Sequence, residues 1–175
     1  MQDNFQLTHA EHKISSHTFP LRIIADNITS PNNVGSLFRL CDAMGVEKLY
    51  LCGDTATPPN SKIKKISRST EKHVDFEHHS DAVALVTRLK SAGYLIISLE
   101  ITTTSVAIRS PSFIDALADN KPICLILGSE NTGIDQALLS LSDMTTHITM
   151  HGNNSSMNVV SAASIACYEI TSSYK

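Results

Sequence analysis

The chain has 175 residues, of which 42% are hydrophobic and 18% are charged, a balance typical of one globular domain with its own core. No run of ~18 apolar residues could span a membrane, and the N-terminus lacks the basic and apolar regions of a secretory signal, so we expect a cytoplasmic protein. The net charge of −3 argues against a protein that coats nucleic acid nonspecifically.

Short strands rich in Ile, Val and Leu alternate with helical patterns after an N-terminal lead-in at residues 1–19. We expect strands at Leu21–Ile28, Lys48–Cys52, Val74–His78, Tyr94–Leu99, Ile123–Leu127 and His147–Met150. We expect helices at Asn33–Met44, Asp81–Ser91, Asp135–Leu141 and Met157–Ser172. Because no repeat or linker divides the chain, this alternation predicts a single α/β domain over residues 1–175, with a mainly parallel sheet flanked by helices.

Three polar segments each follow a predicted strand, at Asn27–Ser36, Gly128–Gly133 and His151–Asn158. Ligands bind beyond the carboxyl ends of the strands in open α/β sheets, so a parallel sheet would gather these segments at one edge. Each segment also has a simpler explanation, because Asn, Ser and Pro are common caps and turn residues before a helix. Arg39 lies in an otherwise apolar helix and is not explained by capping, although a surface arginine is the alternative.

Other kinds of site are disfavoured. The second segment has the G-x-x-x-x-G spacing of a phosphate loop, but Ile134-Asp135 replaces the Lys-[Ser/Thr] of a Walker site. His78 and His79 are adjacent and would point to opposite faces of a strand. His9 and His12 have no third ligand nearby, and the four cysteines are widely spaced. The sequence therefore predicts no metal site and no disulfide framework.

The three polar segments resemble the motifs of the SpoU branch of the SPOUT RNA methyltransferases, especially the TrmH-type enzymes that methylate ribose in tRNA. Pro31–Arg39, followed by Ala43-x-Gly45, matches the first motif of the family, and Leu127–Gly133 matches the second. Ile148–Gly152 together with Ser156–Val159 matches the third. The likeness covers about residues 20–170. Thr149 stands where the family usually has proline, and Met157 stands in place of leucine; neither change removes a reacting group.

The resemblance implies a fold and an activity. It implies a C-terminal trefoil knot and a homodimer with its active site near the subunit interface. The implied reaction moves a methyl group from S-adenosylmethionine to a ribose 2′-hydroxyl in RNA. By matched position, the implied catalytic residues are Asn33, Arg39, Glu130, Ser156 and Asn158. The implied cofactor-binding residues, acting largely through backbone atoms, are Leu99, Glu100, Gly128, Ile148 and Met157.

The resemblance implies two chemical roles for Arg39. A guanidinium beside an RNA phosphate can orient the substrate through two hydrogen bonds, and Ser156 and Asn158 are expected to hold it in place. Arginines at this position in the family are also proposed as the base, but a pKa above ~12 opposes that role.

A basic stretch between Lys62 and Lys72 contains five of the fourteen lysines and arginines, opposed only by Glu71. We predict that Lys62, Lys64, Lys65 and Arg68 contact the RNA backbone; a solvated basic loop is the alternative. The sequence favours tRNA as the substrate but leaves rRNA open. A catalytically silent RNA-binding homodimer of the same fold is a further alternative, although the intact set of implied catalytic residues argues against it. The missing phosphate-loop lysine disfavours an unrelated α/β nucleotide-binding protein.

Overall fold

A computed structural model describes residues 5, 6, 8, 11 and 17–174. Much of the predicted lead-in, together with His9 and His12, lies outside these residues. The strands are β1 (Phe19–Asp26), β2 (Val46–Cys52), β3 (Phe76–His79), β4 (Leu95–Leu99), β5 (Val106–Ala107), β6 (Ile123–Leu127) and β7 (Met144–His147). The helices are α1 (Pro31–Met44), α2 (Ser61–Ser67), α3 (Ala82–Ser91), α4 (Pro111–Leu117), α5 (Gln136–Leu141) and α6 (Val159–Ser173), with a 3₁₀ turn at Thr70–Lys72.

The strands form one sheet in the order β3-β2-β1-β6-β4-β7-β5, and every described pair is parallel. The predicted α/β class with a mainly parallel sheet is therefore confirmed. The trefoil knot implied by the family resemblance stays a prediction. No helix in the described part of the chain is long and apolar enough to cross a bilayer.

Helices cover both faces of the sheet, which explains why its central strands are apolar on both sides. In β1, Leu21, Ile23 and Ala25 face the part of the core that includes α1 and α6, whereas Ile24 faces the part that includes α3 and α5. This alternation follows from the period of two along a strand. All five residues of β6 are buried, so the strand at the centre of the sheet anchors the loop that follows it.

A close approach between α1 and α2 depends on Gly35. A Cβ atom at this position would lie 2.8 Å from the Cβ atom of Ile66 and 3.0 Å from the carbonyl oxygen of Ile63. Only glycine leaves room for α2 against the first turns of α1. The fold therefore places the basic helix α2 beside the polar segment that opens α1.

The last predicted strand was wrong. The sequence predicted His147–Met150, but the strand is Met144–His147, and its pairing with β4 and β5 ends at His147. The alternating apolar residues Ile148 and Met150 instead belong to the wall of a cavity. Pairing across the sheet, rather than local alternation, decides where this strand lies.

The sequence missed α2, α4 and β5, which are seven, seven and two residues long. Two residues are too few to show a strand pattern, and α2 contains only two apolar residues, Ile63 and Ile66, so neither element has a clear period. The final helix begins at Val159 rather than Met157, because Asn158 is its N-cap and its side-chain oxygen accepts hydrogen bonds from the backbone amides of Val160 and Ser161.

Candidate active site

A cavity of about 510 Å³ opens at the carboxyl ends of β4, β6 and β7, and its size is typical of small-molecule sites. All five residues predicted to hold the cofactor line it, namely Leu99, Glu100, Gly128, Ile148 and Met157. Three of the predicted catalytic residues, Glu130, Ser156 and Asn158, line it as well. The second and third polar segments therefore meet at one edge of the sheet, as predicted.

The loop after β6 is tight and depends on two glycines. Ser129 and Gly133 exchange backbone hydrogen bonds of 2.9 and 3.1 Å, so the residues between them form a narrow turn. Gly133 has φ +69°, and a Cβ atom at Gly128 would lie within 2.5 Å of the Gly133 oxygen and the Ile134 nitrogen. Side chains are excluded at both positions. The turn carries Glu130 at its tip.

Glu100 joins the end of β4 to this loop. One carboxylate oxygen accepts a hydrogen bond of 2.8 Å from the backbone amide of Ile101, and the other accepts one of 3.2 Å from the amide of Ile134. A Cβ atom at Gly133 would lie 2.6 Å from the same carboxylate. The side chain of Glu100 therefore fixes the position of two segments of the cavity wall relative to each other.

A chain of amide hydrogen bonds joins the three polar segments. The Asn158 side-chain nitrogen donates to the Asn33 oxygen at 3.1 Å, and the Asn33 nitrogen donates to a Glu130 carboxylate oxygen at 2.6 Å. The Asn158 oxygen is already used as the cap of α6. Each amide can therefore adopt only one orientation, because a flip would place a donor against a donor or an oxygen against the carboxylate.

The start of α1 explains why Asn33 can reach Glu130. Ser30 caps the helix and Pro31 occupies its first turn, an arrangement that suits their preferences. The Ser30 hydroxyl accepts from the backbone amide of Asn33 at 3.5 Å, so the backbone of this residue is tied to the cap. Its side chain remains available to the loop after β6.

Arg39 lies on α1 but does not join this cluster within one chain. It is six residues beyond Asn33, about 9 Å further along the helix axis, and its side chain is exposed. Its guanidinium forms no hydrogen bond or ion pair with any described residue. Within one chain neither Ser156 nor Asn158 forms a hydrogen bond with Arg39, and the Asn158 amide donates to Asn33. The expectation that they hold Arg39 stays a prediction.

The basic stretch is a helix rather than a loop. Lys62, Lys64 and Lys65 lie on α2, and Arg68 follows as its C-cap with φ 55°. All four side chains are exposed. Their location beside α1 brings them near the active-site cluster without making them part of its cavity.

His147 is a cavity residue that sequence reasoning missed. It is the last residue of β7 and lines the cavity, and its Nδ1 atom lies 2.9 Å from the Ser105 hydroxyl. The predicted strand began at His147, whereas the observed strand ends there. The rule that ligands bind at strand ends therefore did not select this residue. Across the residues that the structure describes, no cluster of three His, Cys, Asp or Glu side chains could hold a metal ion.

Similarity to known proteins points to one family. The model of the SpoU rRNA Methylase family matches residues 20–168. The tRNA (guanosine(18)-2′-O)-methyltransferase of Aquifex aeolicus is 30% identical over 150 residues, which is 85% of this chain and 67% of that protein. The 23S rRNA (guanosine(2553)-2′-O)-methyltransferase of Bacillus subtilis is 25% identical over 148 residues, which is 85% of this chain but 56% of that protein. The chain thus spans roughly three fifths of the length of these relatives.

Solved structures show the same fold. The A. aeolicus TrmH/SpoU tRNA modifying enzyme superimposes with a TM-score of 0.77 at 28% identity, covering 90% of this chain and 77% of that one. An AdoMet-bound rRNA methyltransferase from Sinorhizobium meliloti superimposes with a TM-score of 0.81 at 20% identity, covering 93% of this chain and 59% of that one. The family match over most of the sequence and the relative at 30% identity establish that the chain belongs to the SpoU methylase family.

Proposed function

We propose that the protein transfers a methyl group from S-adenosylmethionine to a ribose 2′-hydroxyl of RNA. The observation that carries this proposal is the meeting of the cavity with the Asn158–Asn33–Glu130 chain at the carboxyl edge of the sheet. The relatives at 30% and 25% identity are named as 2′-O-methyltransferases, and two structural neighbours are described as AdoMet-bound.

The cavity residues fit S-adenosylmethionine. Leu99, Leu127 and Ile148 offer an apolar wall for a nucleobase, while Glu100 and Glu130 supply negative charge near a ligand that carries a sulfonium cation. Gly128 and Gly133 bring backbone close to the cavity, where a side chain would collide with the loop. When bound, this cofactor supplies a methyl group that is already activated.

The chain must therefore position the ribose and remove its proton. The amide of Asn33 holds one oxygen of Glu130, and the other carboxylate oxygen has no hydrogen bond from the described residues. We propose that this free oxygen accepts the hydrogen bond of the ribose 2′-hydroxyl. Arg39, exposed and without a partner in the described chain, orients a substrate phosphate through its two-donor fork. Ser156 lines the cavity, and we propose that its side chain faces the ribose of the substrate.

We propose tRNA as the substrate and the cytoplasm as the location. The relative at 30% identity is named for tRNA, but an rRNA enzyme is among the other relatives, so rRNA is the second candidate. We also propose a homodimer. Ile165 and Tyr168 lie on the exposed side of α6, where their side chains are 39% and 63% accessible. A second subunit would cover them and could supply a partner for Arg39.

The test is methyl transfer from radiolabelled S-adenosylmethionine to bulk tRNA and, separately, to ribosomal RNA, followed by mass mapping of ribose methylation. We expect label in tRNA on a ribose oxygen. Label on a base would overturn the proposed chemistry, and label confined to rRNA would move the substrate to the second candidate. Protein that binds the demethylated cofactor but labels neither RNA would support a catalytically silent RNA-binding role.

A further inference from the structure

A second cavity, of about 590 Å³, lies between α2, the 3₁₀ turn at Thr70–Lys72 and the start of β3. It shares no residue with the active-site cavity. Its wall combines three apolar rings with two cations and one carboxylate, contributed by Pro58, Pro59, Phe76, Lys64, Lys72 and Glu71. This combination suits a ligand with a flat ring, a negative group and a hydrogen-bond donor.

The cations of this cavity are available to a ligand. Neither Lys64 nor Lys72 forms an ion pair with another described residue, and both side chains are exposed. Lys62, Lys65 and Arg68 add three further positive charges on and beside α2. Residues 61–72 therefore carry five positive charges against the one negative charge of Glu71, although the net charge of the protein is negative.

Glu71 is the acidic residue among these cations. It accepts a hydrogen bond from the Ser67 hydroxyl, and this bond, with the nearby Lys72 and Lys64, holds the pKa of Glu71 below its usual value. The carboxylate is consequently ionised at neutral pH and can only accept hydrogen bonds. Its other oxygen, Oε1, accepts no hydrogen bond from another residue that the structure describes.

The helix that lines the second cavity, α2, packs against the helix that begins near Asn33, α1. Ile63 and Ile66 of α2 pack directly on Gly35 of α1, two residues beyond Asn33. A strand of RNA that presents a ribose near Asn33 and Glu130 would pass the basic face of α2. This link rests on the proposed function, because it takes RNA as the substrate.

We infer that the second cavity binds one unpaired nucleotide of the RNA, with its base against Phe76 and the two prolines, its phosphate on Lys64 and Lys72, and its amino group donating to Glu71. Bases of single-stranded RNA are recognised by stacking on aromatic rings and by hydrogen bonds to their edges. Cytosine presents an amino group that can donate to a carboxylate. In uracil, the only edge donor is N3–H, and the carbonyl oxygens on either side of it repel a carboxylate. The cavity therefore prefers bases that carry an amino group.

The first experiment titrates the protein with short oligocytidine and oligouridine, followed by fluorescence anisotropy. We expect oligocytidine to bind about tenfold more tightly, the effect of one base-specific hydrogen-bonding contact. Glu71→Gln should remove most of that preference, because the amide can also donate, while Gln can still accept from Ser67. Equal affinity for the two probes, or a preference that Glu71→Gln leaves unchanged, would overturn the inference.

The second experiment compares two pairs of lysine substitutions that remove the same charge. Lys64→Ala with Lys72→Ala removes the cations of the cavity, whereas Lys62→Ala with Lys65→Ala removes lysines of α2 that lie outside it. We expect the cavity pair to weaken oligocytidine binding at least severalfold more than the control pair, and to lower the preference over oligouridine. Equal losses would mean a solvated basic patch and would overturn the inference.

Phe76→Leu tests the stacking contact. Loss of an aromatic ring under a base should weaken oligocytidine binding roughly tenfold, with the melting temperature and binding of the demethylated cofactor as controls for folding. An unchanged affinity in a folded variant would exclude stacking and overturn the inference. These binding experiments do not require methyl transfer. Oligocytidine binding at this cavity without RNA methylation would therefore refute the proposed function alone. RNA methylation without oligocytidine binding at this cavity would refute the inference alone.

Discussion

Asn33 and Glu130 are 97 positions apart in the chain, yet the Asn33 amide donates a hydrogen bond of 2.6 Å to the Glu130 carboxylate. This bond connects the start of α1 to the loop after β6, and Asn158 extends the connection to α6. No single segment contains the site. Three strand ends must come together before any of these side chains can meet.

Replacing Asn33 tests the importance of this contact. Asn33→Asp would place a second carboxylate against Glu130, and like charges at this distance repel. We expect methyl transfer to fall about 100-fold, the scale for misplacing a reacting group by about 1 Å. Stability should change little because the contact is exposed. Single-turnover rates and a melting curve measure the two effects.

Asn32→Ala is the matched control for this experiment. Asn32 is the exposed neighbour of Asn33 on the same helix and has no side-chain hydrogen bond to a described residue. It should retain nearly the full rate. A similar loss in both variants would attribute the effect to the helix start rather than to the contact with Glu130.

Glycine substitutions separate the role of the loop after β6 from that of the third motif. Gly128→Ala would force a methyl group to within 2.5 Å of the Gly133 and Ile134 backbone, whereas a Cβ atom at Gly152 would meet no described atom within 4 Å. We expect Gly128→Ala to lower the affinity for the demethylated cofactor by tenfold or more and to lower the melting temperature. Gly152→Ala should leave both unchanged. Calorimetric titration of the two variants checks this, and equal affinities would refute the proposed role of the loop.

The sequence predicted much of this site for a physical reason. Residues such as Gly128 and Glu130 are close together in the chain, and the rule for strand ends in parallel sheets predicts where such segments lie. What the sequence could not provide was pairing over long distances. The alternating pattern after Asp143 fits a strand at either Met144–His147 or His147–Met150, and only the parallel pairing of residues 144–146 with β4 excludes the second. His147 was missed for this reason.

The partner of Asn158 was also beyond sequence reasoning. Its amide can cap α6, bind Arg39 or bind Asn33, and the motif spacing allows all three. In the structure the cap uses the oxygen, and the nitrogen then lies 3.1 Å from Asn33. Local patterns define which groups are available, but the choice between partners depends on the three-dimensional arrangement of α1 and α6.

The proposed homodimer is tested with two residues of equal exposure. Ile165 on α6 and Val83 on α3 are both 39% exposed, but only Ile165 lies on the surface that we assign to the interface. Burying an unpaired carboxylate in an interface is strongly unfavourable. Ile165→Asp should therefore give a single-subunit mass in light scattering, whereas Val83→Asp should keep twice that mass. A wild-type protein that scatters as one subunit at micromolar concentration would exclude the dimer.

Activity measurements can define the role of Arg39 clearly. If its guanidinium orients a substrate phosphate, Arg39→Ala should lower methyl transfer by about 100-fold or more, the scale for misplacing a reacting group by about 1 Å. Affinity for the demethylated cofactor should stay near the wild-type value, because Arg39 does not line the cavity. Arg39→Lys should restore little activity, since an ammonium cannot reproduce the planar two-donor fork.

The control for Arg39 is Arg88→Ala, which removes an exposed arginine from the opposite side of the sheet, on α3. Arg88→Ala should methylate RNA at the wild-type rate. That result would show that the loss of one positive charge does not by itself cause the lower rate of Arg39→Ala. If Arg39 only supported the fold or the dimer, alanine would lower the melting temperature, the subunit mass or cofactor binding together with activity. A folded, dimeric Arg39→Ala protein that methylates RNA at nearly the wild-type rate would remove this residue from the mechanism. The exposed guanidinium contacts no described residue, so no change in packing could mask the loss of a catalytic role.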